Sequence, residues 1–160
     1  MIRPSRSAIA SARIAASFIV RTFPPDQILS ALEALEFECD GRFLTLNSYE
    51  NRVYQVGIED ERPVVAKFYR PGRWTEEQLH EEHRFSRQLF EAEIPVVAPL
   101  YNAAGDCVHR WNGLLYTLFP RRGGHAPDFD NPDNLLVLGR TLGRIHAVGA
   151  TEPFRVHATH

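Results

Sequence analysis

The most informative segment of the chain is Val64-Val65-Ala66-Lys67-Phe68-Tyr69, where a lysine interrupts an apolar run of residues that favour β-strands. Alternate residues of a strand share a face, so Lys67 shares its face with Val65 and Tyr69. That face is apolar apart from the lysine, and a buried ammonium group needs an anionic partner. The segment therefore predicts a strand whose lysine is paired with a carboxylate from another element.

A helix predicted over residues 75–91 supplies two candidate partners, Glu81 and Glu82. The residues one turn away from Glu81 are mostly polar, which predicts that its side chain is solvated. Glu82 instead lies on the apolar stripe of the helix, which consists of Leu79, Phe85 and Leu89. We therefore predict a buried ion pair between Lys67 and Glu82. The alternative is that both are surface side chains whose charged ends reach water.

An ion pair between a strand lysine and a helix glutamate is typical of the ATP-binding lobe of kinase-like folds. In that interpretation Lys67 contacts the α- and β-phosphates of ATP, and Glu82 holds the lysine in position. The pattern therefore predicts a nucleotide-binding surface on the apolar face of this strand.

The predicted fold class is α+β, with a five-stranded, largely antiparallel sheet and a helix packed on it. Asn112 and Gly113 lie between two apolar runs, which is a strong signal for a short hairpin. Thr75 and Gln78 have capping-box spacing, and Pro132 follows a capping residue at the start of the last helix. The predicted strands cover about residues 43–46, 51–58, 63–69, 106–111 and 114–119, and the helices about 24–37, 75–91 and 132–148.

Three blocks of sequence carry a resemblance to a known family: LNSYENRVYQ at residues 46–55, KFYRPGRW at 67–74 and EEH at 81–83. Together they resemble bacterial stress-response serine/threonine protein kinases of the aminoglycoside phosphotransferase and choline kinase-like superfamily. The resemblance runs from about residue 24 to 157. It implies an ATP-binding N-lobe over residues 24–120, followed at 121–160 by the hinge and the first helix of an incomplete C-lobe.

The resemblance also implies which residues bind ATP. The loop between the first two strands covers the phosphates, and backbone groups of the hinge pair with adenine, which is sandwiched by apolar side chains such as Val53, Val65 and Leu118. The implied ATP-binding residues are Asn47, Ser48, Tyr49, Glu50, Asn51, Lys67, Glu82, Leu118 and Phe119.

Kinases of this superfamily carry a catalytic loop of the H-G-D-x-H-x-x-N type and a later aspartate that binds Mg²⁺. Neither motif occurs in the sequence, and Asp128-Phe129-Asp130 is interpreted as an acidic turn before a helix. We therefore expect no catalytic residue and no Mg²⁺ ligand in this chain, and no turnover by the chain alone. The complete enzyme would use ATP and Mg²⁺ and phosphorylate a protein hydroxyl.

Two further functions stay open at this point. The chain could be a non-catalytic nucleotide-binding or interaction remnant, which would bind ATP weakly or not at all. It could also be part of a small-molecule kinase that acts on an aminoglycoside, choline or homoserine. A zinc site at His80 and His83 is disfavoured, because the two histidines are three residues apart rather than four.

Composition restricts the partners and the location. The formal net charge is −2, so no global basic field favours nucleic acid, and no apolar run is long enough to span a bilayer. Cys39 and Cys107 form no motif, which favours a reduced, cytoplasmic protein, with a single disulfide as the alternative. Residues 1–23 are predicted to be a disordered extension, with a targeting segment as the alternative. Because the apolar stripe of the helix at 132–148 lacks a cover, the isolated chain is expected either to be marginally stable or to self-associate through this helix.

Overall fold

The computed structural model describes residues 24–156, so the predicted extension at residues 1–23 lies outside the described residues. Helices and strands follow one another in the predicted order: one helix, three strands, a second helix, two strands and a third helix. The elements are α1 (Pro25–Glu33), β1 (Cys39–Leu46), β2 (Arg52–Ile58), β3 (Val64–Phe68), α2 (Glu76–Glu91), β4 (His109–Trp111), β5 (Leu114–Pro120) and α3 (Pro132–Gly149).

The strands form one five-stranded sheet in the order β1-β2-β3-β5-β4, and every neighbouring pair is antiparallel. This confirms the predicted α+β class. Asn112 and Gly113 both have positive φ (47° and 81°), as a tight hairpin between β4 and β5 requires. β1 begins at Cys39, earlier than predicted, because an irregularity near Gly41 (φ 83°) lets the strand continue its pairing with β2.

Helix α1 covers one face of the sheet. Ile28, Ala31 and Leu32 are buried there against apolar side chains of the central strands, among them Ala66 and Phe68. The Tyr116 hydroxyl donates a 2.7 Å hydrogen bond to the carbonyl of Ala31, and burial raises the pKa of this phenol to about 12. These contacts fix α1 on the side of the sheet opposite to Lys67.

Helix α2 lies on the other side of the sheet. Its start is the predicted capping box: the Thr75 hydroxyl accepts from the Gln78 amide, and the Gln78 side chain accepts from the Thr75 amide. Leu79 is fully buried in a cluster with Tyr69, Cys107 and Val108. Because Tyr69 has the parity of Lys67, this cluster places α2 beside the lysine.

Helix α3 begins at Pro132 with Asn131 as its N-cap, as predicted, and none of its residues is buried. Leu135 and Leu142, on the predicted apolar stripe, are 51% and 55% exposed. Within residues 24–156, none of the helices combines the length and hydropathy that a bilayer crossing requires.

Candidate functional site

Lys67 lies in a row of residues that crosses four strands of the sheet. Its register partners are Val53 on β2 and Thr117 on β5, and Val53 in turn pairs with Leu46 on β1. The neighbours of Lys67 in sequence point into the core under α1, so the lysine projects from the opposite face. Its side chain is half-buried, and Nζ lies 4.9 Å from the centroid of the Tyr69 ring. The ring face therefore supports the ammonium group through a cation–π contact.

The burial predicted for the two glutamates of α2 is wrong. Glu82 is exposed, whereas Glu81 is only 6% exposed. Among the described residues, no carboxylate lies within ion-pair distance of Lys67, so the predicted pair with Glu82 is not formed here.

Glu81 is buried because a distant part of the chain covers it. Its carboxylate accepts hydrogen bonds from the backbone amides of Arg155 (2.5 Å) and Val156 (2.9 Å), in the segment that follows α3. Hydrogen bonds to an ionised carboxylate are strong enough to offset its desolvation. The polar neighbours of Glu81 in the helix carry no information about these partners.

The predicted phosphate loop, residues 47–51, connects β1 to β2 directly beyond the row that contains Lys67. Asn47, Ser48 and Tyr49 are exposed. Glu50 and Asn51 are half-buried and attach the loop to the turn after β3. The Glu50 carboxylate lies 3.4 Å from the Arg73 guanidinium, and the Asn51 side chain accepts a 3.4 Å hydrogen bond from the Arg70 amide. The loop thus lies at the same end of the sheet as Lys67.

At the predicted hinge, adjacent residues face opposite sides of the sheet. The Leu118 side chain is 1% exposed in the core under α1, and the backbone carbonyl of Leu118 accepts a 2.8 Å hydrogen bond from the Leu100 amide. The expectation that the Leu118 side chain sandwiches adenine is therefore wrong. Phe119 is half-buried on the face that carries Lys67, in register with Val65.

A buried polar cluster lies behind Lys67, and the sequence did not predict it. His83 of α2 is 1% exposed, and its Nε2 is 2.9 Å from the Tyr69 hydroxyl. Its Nδ1 is 3.5 Å from the Cys107 sulfur, and Phe119 packs edge-on against the imidazole. Burial, with a smaller contribution from Lys67, lowers the pKa of His83 to about 4. The imidazole is therefore neutral at physiological pH.

Four of the implied ATP-binding residues, Asn47, Ser48, Tyr49 and Glu82, are exposed to solvent. Cavities of about 380 Å³ and 670 Å³ lie near the hinge and share Pro120 and Arg122, but Lys67 lines neither. Within the described part of the chain, no group of three or more His, Cys, Asp or Glu side chains is arranged to hold a metal ion. The arrangement that the described residues offer is an ammonium group on a largely apolar wall.

Comparison with known proteins identifies the family of the chain. A protein-family model described as the phosphotransferase enzyme family matches residues 43–159. Stress response kinase A of Escherichia coli (strain K12) and of Salmonella typhi are each 43% identical over 139 residues, which is 86% of this chain. The serine/threonine protein kinase RdoA of Salmonella typhimurium (strain LT2) has the same identity and coverage. The chain spans 42% of the length of these relatives.

A solved structure shows the same fold. The amicoumacin kinase hAmiN, in complex with AMP-PNP, Ca²⁺ and Ami, matches with a TM-score of 0.68 and 19% sequence identity. The match covers 82% of this chain and 42% of that chain. The extent of the family match, together with the kinase-like sheet and its lysine, shows that the chain belongs to the phosphotransferase enzyme family.

Proposed function

We propose that residues 24–120 are the ATP-binding lobe of a serine/threonine protein kinase, and that residues 121–156 are its hinge and the first helix of its second lobe. The complete enzyme would transfer the γ-phosphoryl group of ATP to a protein hydroxyl. The observation that carries the proposal is the position of Lys67, half-buried on the face opposite to α1 and next to the loop at 47–51. The 43% identity to relatives named as stress response and serine/threonine kinases supports a protein as the acceptor.

The apolar wall and the ammonium group fit the two halves of a nucleotide. Val53, Val65 and Phe119 would contact the base, and Lys67 would contact the α- and β-phosphates. Ser48 and the backbone of its loop would supply further donors to the phosphates. Glu82 is exposed on the helix beside this surface, so a shift of α2 toward β3 would let it pair with Lys67. When bound, ATP would supply the phosphoryl group, and Mg²⁺ would bind together with its phosphates.

The basic residues of the chain support a special role for Lys67. The sequence contains eighteen lysine and arginine residues, and Lys67 is the only lysine among them. The remaining lysine and arginine positions are thus all arginine. A compact ammonium group acts as a point charge on phosphate, whereas the planar guanidinium requires a wider, two-pronged site. The single lysine lies at the position where the kinase interpretation requires one.

The single lysine also makes the proposal directly testable with an acyl-phosphate derivative of ATP. The Lys67 amine would attack the acyl carbonyl, the bond between carbonyl and phosphate oxygen would break, and ATP and a proton would leave. Mass spectrometry should find one acyl group on the peptide that contains Lys67, and excess ATP should suppress the labelling at least about tenfold. A simple acyl phosphate without the nucleotide should label far more slowly.

The control for this experiment is Lys67→Arg, which retains the positive charge but has no amine to acylate. Labelling that ATP does not suppress, or that is equally fast with the simple acyl phosphate, would contradict an ATP site at Lys67. We expect no steady-state phosphoryl transfer from this chain alone, because a catalytic base and metal ligands belong to the second lobe in our proposal.

We also propose that the exposed apolar stripe of α3 contacts a second copy of the chain, because Leu135 and Leu142 are 51% and 55% exposed. We propose separately that the protein is cytoplasmic. Neither Cys39 nor Cys107 forms a disulfide bond, as expected in a reducing compartment.

A further inference from the structure

Glu81 is a buried carboxylate with no part in the proposed contacts to ATP. Its two oxygens each accept a backbone amide, from Arg155 and from Val156, and the Arg84 guanidinium lies 3.9 Å from one of them. A carboxylate that holds two consecutive amides fixes both the position and the direction of the segment it binds. Glu81 therefore anchors residues 155–156 to α2.

Further contacts between the same segment and α2 follow one stripe of the helix. Phe85, four residues after Glu81, packs edge-on against Phe154 with 5.2 Å between ring centroids. Gln88 donates to the Glu152 carboxylate at 3.2 Å. At the end of the helix, Arg144 of α3 donates to the carbonyls of residues 92 and 93. Positions 81, 85, 88 and 92 lie on one face of a helix, so this face is the binding surface for α3 and the segment after it.

An adjacent part of α2 faces the sheet and reaches Lys67 through two side chains. His83 lies two residues after Glu81, and its Nε2 is 2.9 Å from the Tyr69 hydroxyl. The ring of Tyr69 supports the Lys67 ammonium group at 4.9 Å. Tyr69 and His83 are almost fully buried, so neither side chain can turn away without moving its neighbours. The backbone of α2 thus connects the contacts of Glu81 with residues 155–156 to the contacts of His83 with Tyr69 and of Tyr69 with the lysine.

We infer that Glu81 is a positioning residue for the ATP site: it fastens α2 to the segment after α3, and α2 in turn holds Tyr69 beneath Lys67 through His83. The ATP part of this inference rests on the proposed function, whereas the mechanical part does not. In a two-lobe kinase, this arrangement would make the lysine sensitive to the position of the second lobe, because α3 and its following segment reach the sheet lobe through contacts with α2.

The first measurement tests the anchor by amide hydrogen exchange of the whole chain. In Glu81→Gln, one amide of the pair at 155–156 loses its acceptor, and the exchange rates there should rise at least about tenfold, the factor that corresponds to one charge-assisted hydrogen bond. Glu77→Gln is the matched control, because Glu77 is an exposed glutamate of the same helix and makes the same change of charge. Unchanged exchange at 155–156 in Glu81→Gln would overturn the anchor.

The second measurement tests whether the anchor controls Lys67, using the rate at which a small reagent acetylates this single lysine. Glu81→Gln should raise the rate about two- to fivefold, the range expected when a cation–π contact is weakened. Tyr69→Leu removes the ring and should raise the rate directly, whereas Glu77→Gln should not change it. An unchanged rate in Glu81→Gln, or in Tyr69→Leu, would overturn the coupling.

Val156→Pro covers the case in which Glu81→Gln does not fold, because it removes one donated amide and leaves α2 intact. It should raise the acetylation rate in the same direction, and an unchanged rate would again contradict the coupling. The separate ATP measurement distinguishes the two proposals. If ATP fails to protect Lys67 in the natural sequence, the proposed function fails, while the acetylation rates still report on the anchor.

Discussion

At the scale of single residues, His83 shows how burial sets a protonation state. Its imidazole is enclosed by Tyr69, Cys107 and Phe119, and no described group supplies a negative charge that would hold a proton on it. Desolvation disfavours the charged form, which lowers the pKa of His83 from 6.5 to about 4. The fold therefore requires the neutral imidazole.

This requirement predicts how stability depends on pH. Between pH 6.5 and 4 the unfolded chain binds a proton at this histidine and the folded chain does not, so the free energy of unfolding falls as the pH is lowered. Urea denaturation at pH 7 and pH 4.5 should differ by on the order of 2 kcal/mol from this residue. His83→Gln should reduce the difference by that amount, and His125→Gln, at an exposed position, should not. Equal pH dependence in the two variants would show that His83 titrates normally.

The neighbouring glutamates of α2 show that the pattern of apolar residues in a helix does not always predict which charged side chain is buried. Residues 81 and 82 differ by 100° around the helix, and the apolar neighbours of Glu82 predict the wrong one as buried. The partners that bury Glu81 lie 74 and 75 residues further along the chain. The pattern of apolar residues within a helix cannot predict hydrogen bonds to backbone amides that are so distant in sequence.

At the scale of elements, helix α2 is stabilised by the hydrogen bonds at its N-terminus as well as by the packing of its faces. The reciprocal hydrogen bonds of Thr75 and Gln78 satisfy two amides at its start. His83, which contacts Tyr69, and Glu81, which binds the segment after α3, both lie on this helix. The hydrogen bonds that stabilise its first turn therefore also stabilise the position of these two residues.

The capping box predicts a measurable contribution to stability. Thr75→Ala removes the acceptor for the Gln78 amide and should cost about 1 kcal/mol in the free energy of unfolding. Thr75→Ser retains the hydroxyl and should cost much less. Urea denaturation of the three proteins provides the comparison. If the serine variant were as unstable as the alanine variant, the methyl group rather than the cap would be responsible.

At the scale of the whole molecule, the two halves of the chain are packed differently. The sheet has a buried cluster on each face, beneath α1 and beside α2. Helix α3 has no buried residue; its Arg144 donates hydrogen bonds to the carbonyls of residues 92 and 93, directly after α2. An apolar stripe in this state is a surface for association.

Self-association through α3 predicts a mass that depends on concentration. In sedimentation equilibrium, the natural sequence should exceed the monomer mass as its concentration rises. The double variant Leu135→Glu and Leu142→Glu should remain monomeric with little change in stability, because both positions are more than half exposed. A natural chain that stays monomeric at all concentrations would contradict the proposal.

Much of the architecture follows from the sequence alone, because its signals act between near neighbours. Strand alternation, the capping box, the Asn112-Gly113 turn and the lysine on a strand face each depend on residues a few positions apart, and each is confirmed. The predicted ATP-binding roles stay predictions, with Leu118 corrected by its burial under α1.

Only tertiary structure assigns Glu81 to the segment after α3, encloses His83 and leaves Lys67 on the Tyr69 ring with no ion pair to a described carboxylate. The physical reason is that the interacting groups are far apart in sequence. His83 and Tyr69 are 14 residues apart, and the amides that bind Glu81 lie 74 and 75 residues after it. Their desolvation is offset by partners that only the packed fold brings together.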